Sequence, residues 1–429
     1  MINLGLLILS AISWNTAFFG NYLTCFLVVP AIIFWVILIS KLSDPVRKLR
    51  WFLVFVYGFL WGALCIAPQF WWLPRAAHLY PESYGLGQGY GFFTFFLVLF
   101  SVTHTVFTFL QVFVCSFFKK SWIRSVLCVF GLWPYFFYLA NYGFAPLGEI
   151  KGYPFLWPFL PLAKSETFLK VIAPVCKTSE AQKVILKNKL KHFSFVQLDK
   201  SRCARLDQTH KPASFVGQKI REALKNESVR ACGDGKTIIF LAPESAFPYP
   251  LDLRQGYVDI WSYEMPKNSH FLIGTRRQIA PENVVQHNWL QNFMLDETRQ
   301  IVSTGCCQAT AWIHDRKMVR LLDKKTLCPF SEAGILKGEN MEFERFEIEG
   351  LKLVPIVCYD FFSNFSWLSS VDTSGELTVL LANESWFPKQ TTDIIRCFVK
   401  FSSAWYGRPI VYVSARYGLN LVSFDGVFE

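Results

Sequence analysis

Charged side chains are nearly absent from the first third of this 429-residue chain. Residues 1–40 contain no Asp, Glu, Lys or Arg, and only ten of the 75 charged residues lie before Glu149. The long uncharged runs exclude a uniformly soluble protein and a disordered chain, whereas the charge-rich remainder excludes a pure membrane bundle. The composition therefore predicts a membrane part followed by a globular part.

Several ligand-binding motifs are also missing. The 12 cysteines include no CxxC pair, and the vicinal Cys306 and Cys307 cannot act as two arms of a zinc knuckle. No glycine-rich dinucleotide or P-loop motif is present. The net charge of +11 divides into +6 before Glu149 and +5 from there on, without a basic stripe. We therefore expect no metal, no cofactor and no nucleic-acid partner.

Five uncharged stretches are long enough to cross a bilayer as helices, which takes about 20 residues. They cover approximately 2–19, 22–40, 51–74, 91–118 and 125–148, within a predicted membrane domain at 1–148. The turn-forming pair Gly20 and Asn21 predicts that the first two form a helical hairpin. A cleaved signal peptide is the alternative for the first stretch, but that stretch lacks a basic start.

The Lys and Arg residues between these stretches predict the orientation of the membrane part. They cluster after the second and fourth stretches, whereas Arg75 after the third is offset by Glu82. The positive-inside rule then places everything after residue 149 on the outer side, which is the periplasm in a bacterium with two membranes. An aromatic, proline-rich segment at 153–162, within a predicted linker at 149–182, is expected either at the membrane interface or packed on the following domain.

Short apolar runs separated by helical stretches characterise the last part of the chain, 183–429. Strands are predicted at 192–198, 237–243, 270–275, 351–359 and 376–383, and a helix at 214–226. This alternation predicts an α/β domain with a largely buried sheet. Reactive side chains in such folds tend to follow the ends of strands.

Two predicted strand ends carry side chains suited to nucleophilic catalysis. Glu244 follows a buried strand and a proline in LAPESAFP, and Cys358 ends the strand in PIVCYDF. A cysteine nucleophile needs a base to take its proton and donors to hold the oxyanion. Taken singly, a rim carboxylate and a small buried thiol are the ordinary structural interpretations of such residues.

Taken together, four segments resemble the motifs of the nitrilase, or carbon-nitrogen hydrolase, superfamily in order and spacing. They are APESAFP, LLDKKTLCPFSE, VCYDFF and LANESWF. The resemblance implies an αββα sandwich with Glu244 as general base, Lys324 as the cation near the oxyanion and Cys358 as nucleophile. Lys324 is chosen over Lys325 because it lies eight residues before Glu332, the family's second glutamate.

The combination of a multi-span N-terminal part with an outward domain is similar to the apolipoprotein N-acyltransferase family. Glu332 is then expected to orient the lysine, and Tyr359 to follow the nucleophile as in that family. Asp360 stands where a glutamate is usual. The implied reaction takes an acyl chain from a phospholipid through a cysteine thioester to the N-terminal diacylglyceryl-cysteine of an apolipoprotein. The implied location is the bacterial inner membrane, with the catalytic domain in the periplasm.

The sequence also departs from this family, which leaves alternatives open. Ser402 and Trp405 occupy places where an arginine and a glutamate are usual, and the family's tryptophan after the first strand has no counterpart. Fewer spans precede the domain and none follows it, so a shortened relative is expected. The alternatives are a membrane-anchored nitrilase-type amidase or acyltransferase with another acceptor, such as a conjugal-transfer-associated one, and a catalytically impaired relative kept for interaction.

Overall fold

A computed structural model describes 2–43, 50–72, 74, 86–129, 160–172, 179–198, 211–231, 235–279, 306–325, 345–363, 375–385, 387–424 and 426–427. The chain divides into two compact units. The first comprises Met1–Phe168 and Phe387–Phe398, and the second comprises Leu169–Trp386 and Val399–Glu429. The domain bounds predicted above stay predictions.

The first unit is helical. Its helices are α1 (Ile2–Phe19), α2 (Val28–Leu42), α3 (Arg50–Phe70) and α4 (Leu86–Ser116), followed by helical residues at 121–129 and a 3₁₀ turn at Leu160–Lys164. Among the described residues, three stretches are long and apolar enough to cross a membrane, namely Thr24–Leu42, Arg50–Phe70 and Phe93–Ser116. The apolar helix at Asn3–Phe19 is shorter. Most of the predicted fifth stretch, 130–148, lies outside the described residues, as does most of the aromatic segment at 153–162.

The predicted hairpin turn between the first two helices is confirmed. Helix α1 ends at Phe19, and the Asn21 Oδ1 atom accepts hydrogen bonds from the backbone N–H groups of Leu23 (2.9 Å) and Thr24 (3.2 Å). An asparagine that bonds to the backbone two or three residues ahead reverses the chain locally. The Lys164 ammonium group donates to the carbonyl oxygens of three residues at the end of α1, which are Ala17, Phe18 and Gly20.

Helices α3 and α4 pack closely because glycines line their contact. A Cβ atom added to Gly58 would lie 3.0 Å from the Thr105 Cα atom, and one added to Gly62 would lie 2.8 Å from the Ser101 Cα atom. Small residues spaced by four positions let two helix backbones approach each other, as membrane helix pairs require. The side chains of Ser101, Thr105 and Thr108 donate to carbonyl groups one turn earlier in α4, which satisfies them within the bundle.

The second unit is an α/β sandwich. Its helices are α5 (Glu166–Ile172), α6 (Glu180–Leu190), α7 (Ala213–Ala231), α8 (Gln255–Glu264), α9 (Asp360–Ser363) and α10 (Lys389–Tyr406), although α5 and α10 each begin within the first unit. Its strands are β1 (Phe193–Gln197), β2 (Thr237–Ala242), β3 (His270–Gln278), β4 (Cys306–His314), β5 (Lys317–Asp323), β6 (Phe346–Ile348), β7 (Leu351–Val357), β8 (Leu377–Ala382), β9 (Ile410–Ser414) and β10 (Gly418–Val422). All five predicted strands and the predicted helix at 214–226 are confirmed.

Two five-stranded mixed sheets form the core of this unit. The first has the order β1-β2-β3-β4-β5 and the second β10-β9-β8-β7-β6. Strands β1, β2 and β3 run parallel, as do β7, β8 and β9, while the strands beyond β3, before β7 and after β9 are antiparallel to their neighbours. The two sheets share one apolar cluster that includes Leu241 and Leu272 from the first sheet and Leu353 and Val379 from the second.

Helices α7 and α8 cover the outer face of the first sheet. Their buried residues Ile220, Val258 and Trp261 belong to the same apolar cluster as Phe240 and Phe271. In the second sheet, α10 connects the parallel strands β8 and β9, ending at Tyr406 just before the GRP run at 407–409. This layering agrees with the predicted αββα sandwich. The C-terminal ends of β2, β5, β7 and β8 lead into Glu244, Lys324, Cys358 and Glu384.

Candidate active site

Glu244 lies in a tight turn directly after β2. The Ala246 N–H donates to the Pro243 carbonyl oxygen at 3.2 Å, and Ser245 has a φ of 58°, in the left-handed region. This turn sits against Gly274 of β3, where an added Cβ atom would lie 2.4 Å from the Pro243 oxygen and 2.5 Å from the Glu244 Cα atom. Gly274 is therefore the residue that allows the Glu244 backbone to approach the sheet.

Glu244 and Lys324 form a buried ion pair. The Lys324 Nζ atom donates to Glu244 Oε1 at 2.7 Å, and the side chains are 1% and 8% exposed. A charge removed from water to this extent must be paired, because an isolated buried ion costs several kcal/mol. Lys324, which the sequence favoured over Lys325, is thus the lysine whose ammonium group contacts Glu244.

The main chain of Lys324 is fixed by the sheet from which it emerges. Its N–H donates to the Gln308 carbonyl oxygen at 2.8 Å. Directly before it, Asp323 at the end of β5 accepts two 2.7 Å hydrogen bonds from Arg277 of β3, a bidentate pair. Such paired bonds fix the geometry of both partners. Burial first, and then the charge of Asp323, raise the pKa of the neighbouring Cys307 thiol.

Gln308 connects the glutamate turn with the lysine strand. Its main-chain oxygen accepts from Lys324, and its side-chain Nε2 donates to the Ser245 hydroxyl at 3.0 Å. One residue of β4 therefore holds the two segments that carry Glu244 and Lys324. This role was not predicted, because a glutamine inside a strand has no distinctive spacing.

Cys358 occupies the turn between β7 and the short helix α9. Its φ of 43° is left-handed, which is uncommon for a residue with a side chain and typical of strained positions at functional sites. Two backbone bonds hold the turn, since the Cys358 N–H donates to the Leu381 oxygen at 2.9 Å and its oxygen accepts from the Phe361 N–H at 3.0 Å. The residue is 7% exposed, and so is Tyr359.

Asp360 joins the cysteine turn to the lysine segment. Its two carboxylate oxygens accept from the Lys325 N–H at 3.1 and 2.9 Å, and both residues are buried. Asp360, which is one methylene shorter than a glutamate, therefore holds the Lys325 N–H between its two oxygens. The turn that carries Cys358 and the strand end that carries Lys324 are consequently linked by Asp360 and Lys325.

Two further polar residues at this end of the second sheet were not predicted. Glu384 follows β8 and is 1% exposed, and its Oε1 atom accepts a hydrogen bond from the hydroxyl of the buried Tyr412. Burial raises the pKa of Glu384, and burial together with the charge of Glu384 raises the pKa of Tyr412. The LANESWF motif contained the glutamate, but nothing in the sequence joined it to a tyrosine 28 residues later.

Several predicted residues stand apart from this arrangement. Glu332 lies outside the described residues, as do Cys176, Cys203, Cys232 and Cys328. Cys306, Cys307 and Cys397 are buried, and none of the three is in a disulfide within the described part of the chain. Ser402 is buried in α10, and Trp405 stacks on Phe401 in the same helix, with ring centroids 5.7 Å apart.

No protein-family model and no curated protein matches the chain. Part of it is similar to solved structures. A glutamine-dependent NAD+ synthetase from Acinetobacter baumannii is 16% identical with a TM-score of 0.38, over 53% of this chain and 41% of the synthetase. A carbon-nitrogen hydrolase from Helicobacter pylori is 8% identical with a TM-score of 0.38, over 51% of this chain and 80% of the hydrolase. A Nesterenkonia amidase from the nitrilase superfamily is 13% identical with a TM-score of 0.36, over 55% of this chain and 85% of the amidase.

The geometry supports covalent chemistry at a thiol. A carboxylate, a lysine and a thiol, carried by segments that hydrogen bonds connect, are residue types that can act as a base, a cation and a nucleophile. These are the parts that acyl transfer requires, and each comes from the end of a different strand.

Proposed function

We propose that this chain is a membrane-anchored cysteine acyltransferase of the apolipoprotein N-acyltransferase type, a member of the nitrilase superfamily. The observation that carries the proposal is the buried ion pair of Glu244 and Lys324, linked through Lys325 and Asp360 to the Cys358 turn. The three helices long enough to cross a membrane support a lipid substrate. The proposed site of action is the periplasmic face of the bacterial inner membrane.

In the first half of the reaction, Cys358 takes an acyl chain from a phospholipid. The Sγ atom attacks the ester carbonyl while Glu244 accepts the thiol proton. The tetrahedral oxyanion is stabilised by the Lys324 ammonium group. Collapse breaks the ester C–O bond, Glu244 returns the proton to the departing alcohol, and a lysophospholipid and a Cys358 thioester result.

In the second half, the free amine of a diacylglyceryl-cysteine attacks the thioester carbonyl. Glu244 accepts a proton from the amine and passes it to the Cys358 sulfur as the C–S bond breaks. The products are an amide and the regenerated thiol. Because both substrates are anchored in a bilayer, a catalytic domain tethered there gains effective concentration.

The test is complementation of a bacterium depleted of its apolipoprotein N-acyltransferase. The wild-type chain is expected to restore growth and triacylated lipoprotein, whereas Cys358→Ala is not. The matched control is Cys306→Ala, which removes another buried thiol from β4. Intact-mass measurement of the purified protein with phospholipid is expected to show one added acyl chain, at Cys358 alone.

The outcomes separate the candidate functions. If the wild type is expressed but gives neither growth nor triacylated lipoprotein, the lipoprotein acceptor is wrong. Selective reaction of Cys358 with an acyl-phosphonate probe would then favour an amidase or an acyltransferase with another acceptor. If Cys358 reacts with no such probe, the chain is not a cysteine acyltransferase.

A further inference from the structure

The carboxyl group of Glu384 follows β8, the strand that anchors the Cys358 turn, and has no part in the chemistry above. Glu384 comes two residues after β8 ends, and its partners beyond its own backbone belong to the end of β9 or the residue that follows. Tyr412 donates its hydroxyl proton to Oε1, the Ala415 N–H donates to Oε2 at 3.2 Å, and the Ser414 hydroxyl also bonds to the carboxyl group.

Every one of these partners is a donor. The Ser414 oxygen accepts from the N–H groups of Arg416 (3.1 Å) and Tyr417 (2.8 Å), which directs its own proton toward Glu384. The Ala415 N–H is shared between Glu384 and the Ala382 carbonyl oxygen at 3.1 Å. The carboxyl group therefore fastens the loop after β8 to the end of β9.

The loop held in this way directly follows the strand that anchors the nucleophile. The Cys358 N–H donates to the oxygen of Leu381, three residues before Glu384. In the sheet, Leu381 pairs with Val413, the neighbour of Tyr412. Burial first, and then the charge of Glu384, raise the pKa of Tyr412, and the charge of a Cys358 thiolate adds to these causes.

We propose that Glu384, held by Tyr412, Ser414 and Ala415, is a positioning residue that keeps Cys358 in its left-handed conformation for attack. The inference rests on the proposed function of Cys358 as nucleophile. A strained backbone persists only where its surroundings fix it. The anchor of Cys358 is the carbonyl group of Leu381 near the end of β8, and the directional bonds to Glu384 fasten the residues that follow this strand to β9. An apolar pair of equal size would fill the space without fixing the loop's position.

The experiment measures thioester formation in the full-length protein in detergent. A short-chain p-nitrophenyl ester supplies the acyl group, and the burst of p-nitrophenol reports the rate. Tyr412→Phe removes one oxygen atom, and Glu384→Gln replaces one acceptor oxygen by an NH₂ group. The control is Tyr257→Phe, which removes a phenolic hydroxyl from α8. Rates are divided by the fraction of Cys358 that iodoacetamide titrates, and thermal midpoints are recorded.

Loss of one such hydrogen bond is expected to lower the burst rate at saturating ester roughly fivefold to tenfold. The ester concentration that gives half the maximal rate is expected to stay unchanged, because ground-state binding is not altered. Combining the two substitutions is expected to add little, since both break the same link. Tyr257→Phe is expected to stay within twofold of the wild type.

The result that overturns the inference is a normalised burst rate within twofold of the wild type in both variants. A fall in rate no larger than in Tyr257→Phe at an equal loss of thermal midpoint overturns it as well. If the wild type shows neither a burst nor labelling of Cys358, the proposed function fails first. Because Tyr412→Phe removes a single atom, it keeps the test valid should Glu384→Gln not fold.

Discussion

At the scale of single residues, the site is defined by buried polar groups that satisfy each other. Lys324 is among the largest completely buried side chains, and its contact with Glu244 is what makes that burial tolerable. Replacing a buried ion pair by apolar residues is often neutral, whereas removing one partner leaves an uncompensated charge. The contribution of the pair therefore shows as an interaction free energy between Glu244 and Lys324. Single substitutions do not measure it, whereas a double variant compared with the two single variants does.

We expect Lys324→Met and Glu244→Gln each to lower the thermal midpoint of unfolding, because each leaves one buried partner of the pair unmatched. The expected loss in the free energy of unfolding is about 3 kcal/mol for each variant. The double variant is expected to be more stable than the sum of the two losses predicts. Differential scanning fluorimetry of the four proteins in one detergent measures this. Strict additivity would contradict a direct ion pair.

A second prediction at this scale concerns His270. Burial first, and then the neighbouring His314, lower its pKa from 6.5 to about 4, and its Nδ1 atom accepts a hydrogen bond from the Trp312 indole at 3.2 Å. The unfolded chain therefore binds more protons than the folded one between these pH values. The contribution of neutral His270 to the free energy of unfolding is complete above pH 6.5 and is lost as the pH falls toward 4. The expected loss is roughly 3 kcal/mol.

The measurement is the unfolding midpoint of the wild type and of His270→Asn between pH 4 and 8. The variant is expected to be less stable at pH 8 but to lose less on acidification, because it removes the group that must take up a proton. Parallel curves for the two proteins would assign the acid sensitivity to other residues.

At the scale of helices and strands, β1, β2, β3, β7 and β8 were predicted from their apolar runs, whereas β4, β5, β6, β9 and β10 were not predicted. Strands β2 and β8 are buried at nearly every position, so their runs of Ile, Leu and Val identified them. Strand β5 is mostly exposed and carries Lys317 and Arg320, and β10 is only half-buried, so neither has a distinctive pattern. Their places follow from pairing with β4 and β9, which no local pattern encodes.

Helix packing in the membrane unit gives a prediction of its own. Gly62→Ala would place a Cβ atom 2.8 Å from the Ser101 Cα atom, so α3 and α4 must move apart. The control is Gly91→Ala in α4, where an added Cβ atom meets nothing within 4 Å and helix propensity improves by about 1 kcal/mol. We expect Gly62→Ala to lower the thermal midpoint in detergent and Gly91→Ala to preserve or raise it. Equal effects would place the helix contact elsewhere.

At the scale of the whole molecule, the sequence predicts the sandwich and the residues at the ends of its strands. It does not predict the contacts that join those strand ends to one another. Glu244 and Cys358 could be predicted because each comes at the end of an apolar strand in its motif, whereas Lys324 was predicted from its spacing to Glu332 in the lysine motif. Gly274, Gln308 and Tyr412 could not, because their roles depend on distant segments that only the folded sheets bring together. The residues that hold the site are thus harder to find from sequence than those expected to react.

The uneven distribution of charge across the molecule gives the last prediction. Lys and Arg cluster after the second and fourth apolar stretches, so the positive-inside rule expects the chain beyond residue 149 to lie outside the inner membrane. Trypsin added to spheroplasts is expected to degrade that lysine-rich part and leave an apolar N-terminal fragment. In inside-out vesicles the same part is expected to survive until detergent is added. A cytoplasmic marker protein that stays intact in spheroplasts is the control, and protection in spheroplasts with cleavage in vesicles would reverse the orientation.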